Sequence, residues 1–405
     1  MEVNYLENES LKDSINAEID RMRKRLIEMA EIVHANPEIG YQEYQTSKIY
    51  TEELRKKGFT LTNEFSELPT AFKASYQGRK IGPTIALLAE LDALPGLGHA
   101  CGHNIIGTAS VGAAIAISKF MPMIPGTIMV FGTPAEEAAV NNAGGKVRML
   151  KEIKKVDAAM LVHPSSKNMV NTRNVCREAL KLEFHGKAAH AGAVPHLGVN
   201  ALDAAINTFN LINAMRQHLT NDVRIHGIIS HGGDAPNIVP AYAAIKLYVR
   251  ARKREYLAEV VEKVKNCARG AALGTGATVE VNSYAARYLN MVSNPTLATL
   301  FQKNWEQLGL TIEVSPERSY GSTDMGNVSQ ELPAIHPYIA IAPKGTPGHS
   351  EAFMEASRSE KAHESLIYAT KGLAMTAVDL FTRPDQVIKM KKDFEDFKTG
   401  KFIDY

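Results

Sequence analysis

Thr84-Ile85-Ala86-Leu87-Leu88-Ala89-Glu90-Leu91 runs directly into Asp92-Ala93-Leu94-Pro95, and after Gly96-Leu97-Gly98 comes His99-Ala100-Cys101-Gly102-His103-Asn104. The apolar run closed by a proline reads as a buried strand, and Ile105 to Phe120 is small and apolar over a helical length. A cysteine and two histidines therefore occupy a glycine-flanked turn between a buried strand and a buried helix. Strand ends of open α/β sheets are where sites form. A thiolate and two imidazoles this close can converge on one cation. A buried cysteine beside two incidental histidines satisfies the same pattern, because cysteine is often a small core hydrophobe. The rest of the chain decides between the two.

At 405 residues the chain is long for one core and suggests two domains. A hydrophobic fraction of 45% and a charged fraction of 22% are ordinary for a globular protein. The net charge of +2 gives no reason to expect nucleic acid or an anionic membrane as a partner. The three cysteines, Cys101, Cys176 and Cys267, are odd in number and far apart, which argues against disulfides and for a reducing cytoplasm. Met1 to Glu9 is acidic and lacks an apolar signal core. No window reaches the ~18 apolar residues of a membrane span. A soluble cytoplasmic protein is expected.

Working outward, Ile15, Ile19, Met22, Leu26, Met29 and Val33 mark an amphipathic helix that Asn36-Pro37 stops. Thr46 to Lys57 is a second helix closed by Gly58. Strands follow at Ala71 to Tyr76, Thr84 to Leu91, Gly126 to Thr133 and Asp157 to Val162, with a helix from about Asn142 to Ile153. This alternation predicts an α/β fold, a mostly parallel sheet with helices on both faces. From Glu178 the texture changes. Strand 178–186, helix 199–219, strands 223–229 and 243–250, helix 254–271 and strand 277–284 form the β-α-β-β-α-β order of a ferredoxin-like α+β sandwich. After Ala286 the α/β texture resumes with helix 295–308, strand 335–341 and a helix from Ser357 to about Phe381. The expected boundaries are 1–176 and 288–405 for the two parts of a catalytic domain and 177–287 for the insert. The last twenty or so residues read as a loosely packed tail.

Three strand ends of the α/β part carry possible ligands: Cys101 and His103, then Glu136-Glu137, then His163. The loop Gly345-Thr346-Pro347-Gly348-His349-Ser350 adds His349. A parallel sheet gathers such ends on one edge. The donors suffice for two cations sharing a bridging thiolate, with Glu136 left over to take a proton from water and pass it to a leaving nitrogen. Taken singly, Glu136-Glu137 reads as a solvated face, His163 as a strand-end histidine and His349 as a turn residue. Together they favour a site.

These residues resemble the M20 metallopeptidases and amidohydrolases over nearly the whole chain. The matching stretches are Glu90-Leu91-Asp92-Ala93-Leu94-Pro95, His99-Ala100-Cys101-Gly102-His103, Thr133-Pro134-Ala135-Glu136-Glu137, His163-Pro164, Gly186-Lys187-Ala188-Ala189-His190-Ala191 and Ala235-Pro236-Asn237-Ile238-Val239-Pro240. The resemblance implies Cys101, His103, Glu137, His163 and His349 as ligands of two divalent cations, zinc first, with manganese or cobalt as alternatives. It implies Glu136 as general base, Asp92 as a carboxylate orienting a ligand, and an inserted lid that mediates a homodimer. It also implies that the lid places a histidine and an asparagine near the substrate. His226 and Asn237 fill these roles by position, and His190 and His231 are rivals to His226. Within the family, Leu94-Pro95-Gly96-Leu97-Gly98-His99 and Gly321-Ser322-Thr323-Asp324-Met325-Gly326-Asn327-Val328-Ser329 are similar to the branch of peptidase M20 domain-containing protein 2 and the aminobenzoyl-glutamate hydrolases. Glu90 and Asn104 stand where related amidohydrolases usually carry aspartate.

The expected activity is metal-dependent hydrolysis of an amide in a small dipeptide or an N-acyl or aroyl amino acid. The alternatives are an aminoacylase acting on N-acyl amino acids, a homologue without catalysis, and a thiol hydrolase using Cys101 with His103 as base.

Overall fold

Ile15, Ile19, Leu26, Met29 and Val33 are buried, so the helical spacing along α1 (Tyr5–Ala35) puts one face on the core. The computed structural model describes residues 5–137, 139–171, 173–314 and 320–401. Next come α2 (Tyr44–Lys56), β1 (Thr60–Asn63), β2 (Phe72–Gln77), β3 (Lys80–Glu90), α3 (His103–Ser118), β4 (Pro125–Thr133), α4 (Gly145–Ile153), β5 (Ala158–Met160) and β6 (His163–Ser165). All of α3 is buried, as its small apolar sequence requires.

The second segment comprises β7 (Cys176–His185), α5 (Ala201–Met215), β8 (Arg224–His231), β9 (Tyr242–Ala251), α6 (Arg254–Thr275) and β10 (Thr278–Ser283). The chain then adds α7 (Pro295–Gln307), α8 (Met325–Ser329), β11 (Ala334–Ile335), β12 (Tyr338–Ala340), α9 (Glu351–Ala356), α10 (Glu360–Thr382) and α11 (Pro384–Lys398). Two compact units result. One contains the described residues up to Arg173, those from Met291 to Val314 and those from Asp324 onward; the other contains Asn174–Asn290 and Tyr320–Thr323.

In the first unit the sheet order is β1-β2-β4-β3-β5-β11. Pairings β3–β4, β3–β5 and β5–β11 are parallel, whereas β1–β2 and β2–β4 are antiparallel. The sheet is thus mostly parallel with an antiparallel edge. In the second unit the order is β10-β7-β9-β8, every pairing antiparallel. Its apolar core is formed by residues such as Leu180, Phe184, Ile245 and Leu247 from the strands with Ala205, Ile212, Val260 and Val264 from α5 and α6, a ferredoxin-like α+β sandwich.

Three local expectations need correction. The expected strand 157–162 ends at Met160, and His163 belongs to a separate two-stranded ladder in which β6 pairs β12. Pro164 has no N–H to give to the main sheet, and Pro337 likewise divides the expected strand 335–341 into β11 and β12. The expected helix from Ser357 is α10, which begins behind its N-cap Ser359, and the short helix α9, capped by Ser350, precedes it. The expected tail is largely the helix α11: Met390 is buried, and the Thr296 hydroxyl donates to Asp393 at 2.5 Å. Residues 402–405 lie outside the described residues.

Candidate metal centre

Parallel pairing puts Glu90 opposite Thr133, so the turns that follow β3 and β4 leave the sheet side by side. Asp92, in the first turn, holds the second: its Oδ1 accepts the Glu136 backbone N–H at 3.0 Å and its Oδ2 that of Glu137 at 3.0 Å. Ala135 has a left-handed φ of 53°. Its N–H is accepted by Oε1 of Glu43 at 2.9 Å, while Oε2 of Glu43 accepts the Thr70 hydroxyl at 2.6 Å. Two buried carboxylates thus secure three successive amides of the turn that carries Glu136 and Glu137.

Gly102, between Cys101 and His103, has φ of 79°, and a Cβ there would lie 2.7 Å from Cγ of Pro164. Only glycine lets the cysteine turn pack on the His163-Pro164 corner. Cys101 Sγ is 3.3 Å from His163 Nε2. His163 Nδ1 is 2.7 Å from the Pro164 carbonyl and His103 Nδ1 is 2.8 Å from the Asp92 carbonyl. Those carbonyls accept, so each ring carries its proton on Nδ1 and presents the Nε2 lone pair, as metal-binding histidines do. The His349 N–H donates to the Ala100 carbonyl at 2.9 Å, which brings its Nε2 to 3.2 Å from Glu137 Oε1.

The donor atoms form two overlapping groups, Cys101 with His103 and His163, and Cys101 with Glu137 and His349; within each they lie within 4.8 Å of one another. Cys101 serves both, as a bridging ligand must. His103 Nε2 is buried without a hydrogen bond, which is costly unless a cation satisfies it. Thiolate, imidazole and carboxylate are the donors of zinc and its neighbours, so these residues fit a pair of divalent cations. Glu136 forms a third group with His103 and Glu137, which places its carboxylate beside the ligand set.

The electrostatics agree with that assignment. Burial and the Glu137 carboxylate raise the Cys101 thiol, but the His163 and His103 imidazoles outweigh them and bring it down to about 6. Burial, then the carboxylates of Glu90, Glu137 and Asp324, hold Glu136 well above the usual range. Glu137 is lowered: burial opposes ionisation, but its contact with His349 prevails. Hydrogen bonds to Cys101 and Glu137 raise His349 to about 11.

His99 belongs to none of these groups, so the pair of histidines flanking Cys101 does not converge on one cation. Its ring is buried 6.1 Å from that of His34, and burial, with the neighbouring His103, lowers its pKa to about 3. The residues expected of the lid lie in the second unit. His226 sits on β8 opposite Tyr248, with its Nε2 accepting from Arg250 Nε at 3.3 Å. His190 caps its own turn, with Nδ1 accepting the N–H groups of Gly192 and Ala193. A bridge between His190 and Ile238 brings Asn237 alongside.

Sequence reading gave no role to Lys146, Glu90 or Asp324, which form a buried ion cluster at the same sheet edge. A signal existed: Lys146 lies in the first turn of α4, where the helix dipole disfavours a cation and an anionic partner is therefore implied.

Residues 86–369 match the model of peptidase family M20/M25/M40. The chain is 35% identical over 407 residues to the Xaa-Arg dipeptidase of Mus musculus, covering 96% of this chain and 93% of that protein. It is 30% identical to one of the subunits of the p-aminobenzoyl-glutamate hydrolase of Escherichia coli (strain K12), covering 91% of each. Among solved structures, a Bacillus subtilis protein described as a dinuclear metal binding peptidase from the M20 family superposes with a TM-score of 0.65 at 22% identity, covering 89% of this chain and 99% of that one.

Proposed function

The chain belongs to the M20 peptidase family, and from that premise we propose that it is a two-metal hydrolase of amide bonds in small dipeptides or N-acyl or aroyl amino acids, with Glu136 as general base. The observation that carries this reading is the pair of donor groups sharing Cys101, with the Glu136 carboxylate beside them. Cys101, His103 and His163 would hold one cation and Cys101, Glu137 and His349 the other, with zinc as the first choice and manganese or cobalt as alternatives. When bound, such a pair polarises the scissile carbonyl and acidifies the attacking water. The raised pKa of Glu136 suits a carboxylate that takes the water's proton and then gives it to the leaving nitrogen. Asp92 acts through the backbone: it fixes the amides of Glu136 and Glu137 and, at 3.4 Å from His103 Nδ1, steadies that ligand too.

The relatives' names span a dipeptide and an aroyl amino acid. Their shared chemistry, an amide between an acyl carbon and an amino acid nitrogen, sets the substrate class proposed for this chain. The donor set and Glu136 speak against a homologue without catalysis. The thiol hydrolase reading is disfavoured because Cys101 faces two imidazoles at once and belongs to both donor groups, rather than pairing with His103 alone.

We assign the second unit the role of lid and homodimer interface, with His226, Asn237 and His190 contacting substrate. In support, β8 is an edge strand, and its Ile228 and Ile229 are 63% and 41% exposed, a long apolar edge of the kind that pairs with another strand. Cytoplasmic residence is supported by three unpaired cysteines. Among the described residues no helix is long and apolar enough to cross a membrane.

Metal analysis tests the function. The purified protein should carry two divalent cations per chain. Chelation should abolish hydrolysis of a panel of amide-linked dipeptides and aroyl-glutamates, and added zinc, manganese or cobalt should restore it. Full turnover by metal-free protein would overturn the reading.

A further inference from the structure

Glu90, Glu136 and Asp324 each offer a carboxylate oxygen within 4.8 Å of the other two. Three buried carboxylates at that spacing form an oxygen cage of the kind hard divalent cations occupy. The cage already holds a cation, the Lys146 ammonium, whose Nζ is 2.7 Å from Glu90 Oε1 and 2.5 Å from Asp324 Oδ1. The Lys146 backbone N–H donates to Asp324 Oδ2 at 2.9 Å, so Asp324 binds the residue at both ends. The Lys146, Glu90 and Asp324 side chains are 0% exposed.

Lys146 has little room to withdraw. A Cβ on Gly145, the residue before it, would come within 2.0 Å of the Pro134 carbonyl, so the start of α4 is pressed against the turn bearing Glu136. Glu90 has a second neighbour: its Oε2 lies 3.2 Å from His103 Nε2, the atom offered to a cation. A Glu90 released from Lys146 would be within reach of the same metal.

We propose that Lys146 is a positioning residue that stands in for a third cation. Its ammonium closes the Glu90–Glu136–Asp324 cage to metal and keeps Glu90 from joining the ligands of the His103 cation. Glu136 is thereby left to act on water. The inference rests on the two-metal reading above, and goes beyond it by assigning the enzyme a charge that sets how many cations it binds.

Elemental analysis of wild type and Lys146→Met, each dialysed against Mn²⁺ and then metal-free buffer, tests it. Wild type should retain two cations per chain and Lys146→Met three, while Lys146→Arg returns to two. Turnover of Lys146→Met should fall roughly 10–100-fold, as when a group supporting metal ligands is lost, with KM little changed. If Lys146→Met does not fold, Lys146→Gln, whose amide can still donate to the cage carboxylates but carries no charge, gives the same readout. A folded variant that holds two cations, or turns over like wild type, overturns the proposal. A wild type without two cations overturns the two-metal reading instead.

Discussion

Asp92 grips Glu136 by the backbone: its Oδ1 accepts the Glu136 N–H at 3.0 Å while its Oδ2 takes the next amide, that of Glu137, at the same distance. A carboxylate can accept both because it has no donor of its own. In Asp92→Asn one of these amides would face an NH₂ group. The turn must then shift, although the side chain keeps its size. Metal affinity and kcat should both fall by roughly 10–100-fold, measured by chelator competition and steady-state kinetics. Wild-type values for both would mean that the turn holds itself.

Glu136 and Glu137 are adjacent yet face different neighbours, which predicts separable losses. Glu136→Gln should keep its metal and lose roughly 10²–10⁴-fold in kcat, the usual worth of a general base. Glu137→Gln should lose metal, because its Oε1 belongs to the group with Cys101 and His349. Metal content beside kcat for each variant decides the matter, and the opposite pattern would exchange the two roles.

The apolar strand β3, the wholly buried α3 and the polar strand ends were legible in the sequence because each is a local pattern. What escaped reading depends on partners remote in sequence. Glu43 binds Ala135 across 92 positions and Lys146 binds Asp324 across 178, and no periodicity reports such a pairing. Spacing could not separate His99 from His103 either. The left-handed Gly102 separates them, starting α3 at His103 with its ring on the Asp92 carbonyl, while His99 stays among core residues. The strand break at His163-Pro164 is written in the proline, but the apolar run before it is the stronger local pattern and masks it.

Glu43 gives a pH prediction. Burial, then the nearby Asp92 carboxylate, raises its pKa from 4.5 to about 7. A carboxyl raised on folding binds its proton more tightly in the folded chain, so its stabilising contribution is complete below the unfolded pKa and is lost as pH climbs towards 7. The shift corresponds to on the order of 3 kcal/mol. Between pH 4.5 and 7 the metal-free wild type should therefore lose stability relative to Glu43→Gln, whose amide can still accept from Ala135 and donate to Thr70. Denaturant midpoints of both proteins across that range check this, and parallel curves would remove Glu43 as the source.

His226 tests whether two chains share a site. Burial, then the positive charges of Arg250 and Arg216, lower its pKa, so the ring is neutral at pH 7. With Nε2 accepting from Arg250, the ring proton lies on Nδ1 and can be given to an oxyanion. β8 carries His226 on a sheet edge, next to the exposed Ile228 and Ile229. An edge that pairs two chains would bring each His226 close to the partner chain. His226→Ala should then keep its metal and lose kcat/KM. Mixing it with inactive Glu136→Gln should restore activity, because one site of each mixed dimer joins the intact Glu136 of one chain to the intact His226 of the other. Mixed dimers shown to form, with no recovered turnover, would rule out a site shared across the interface.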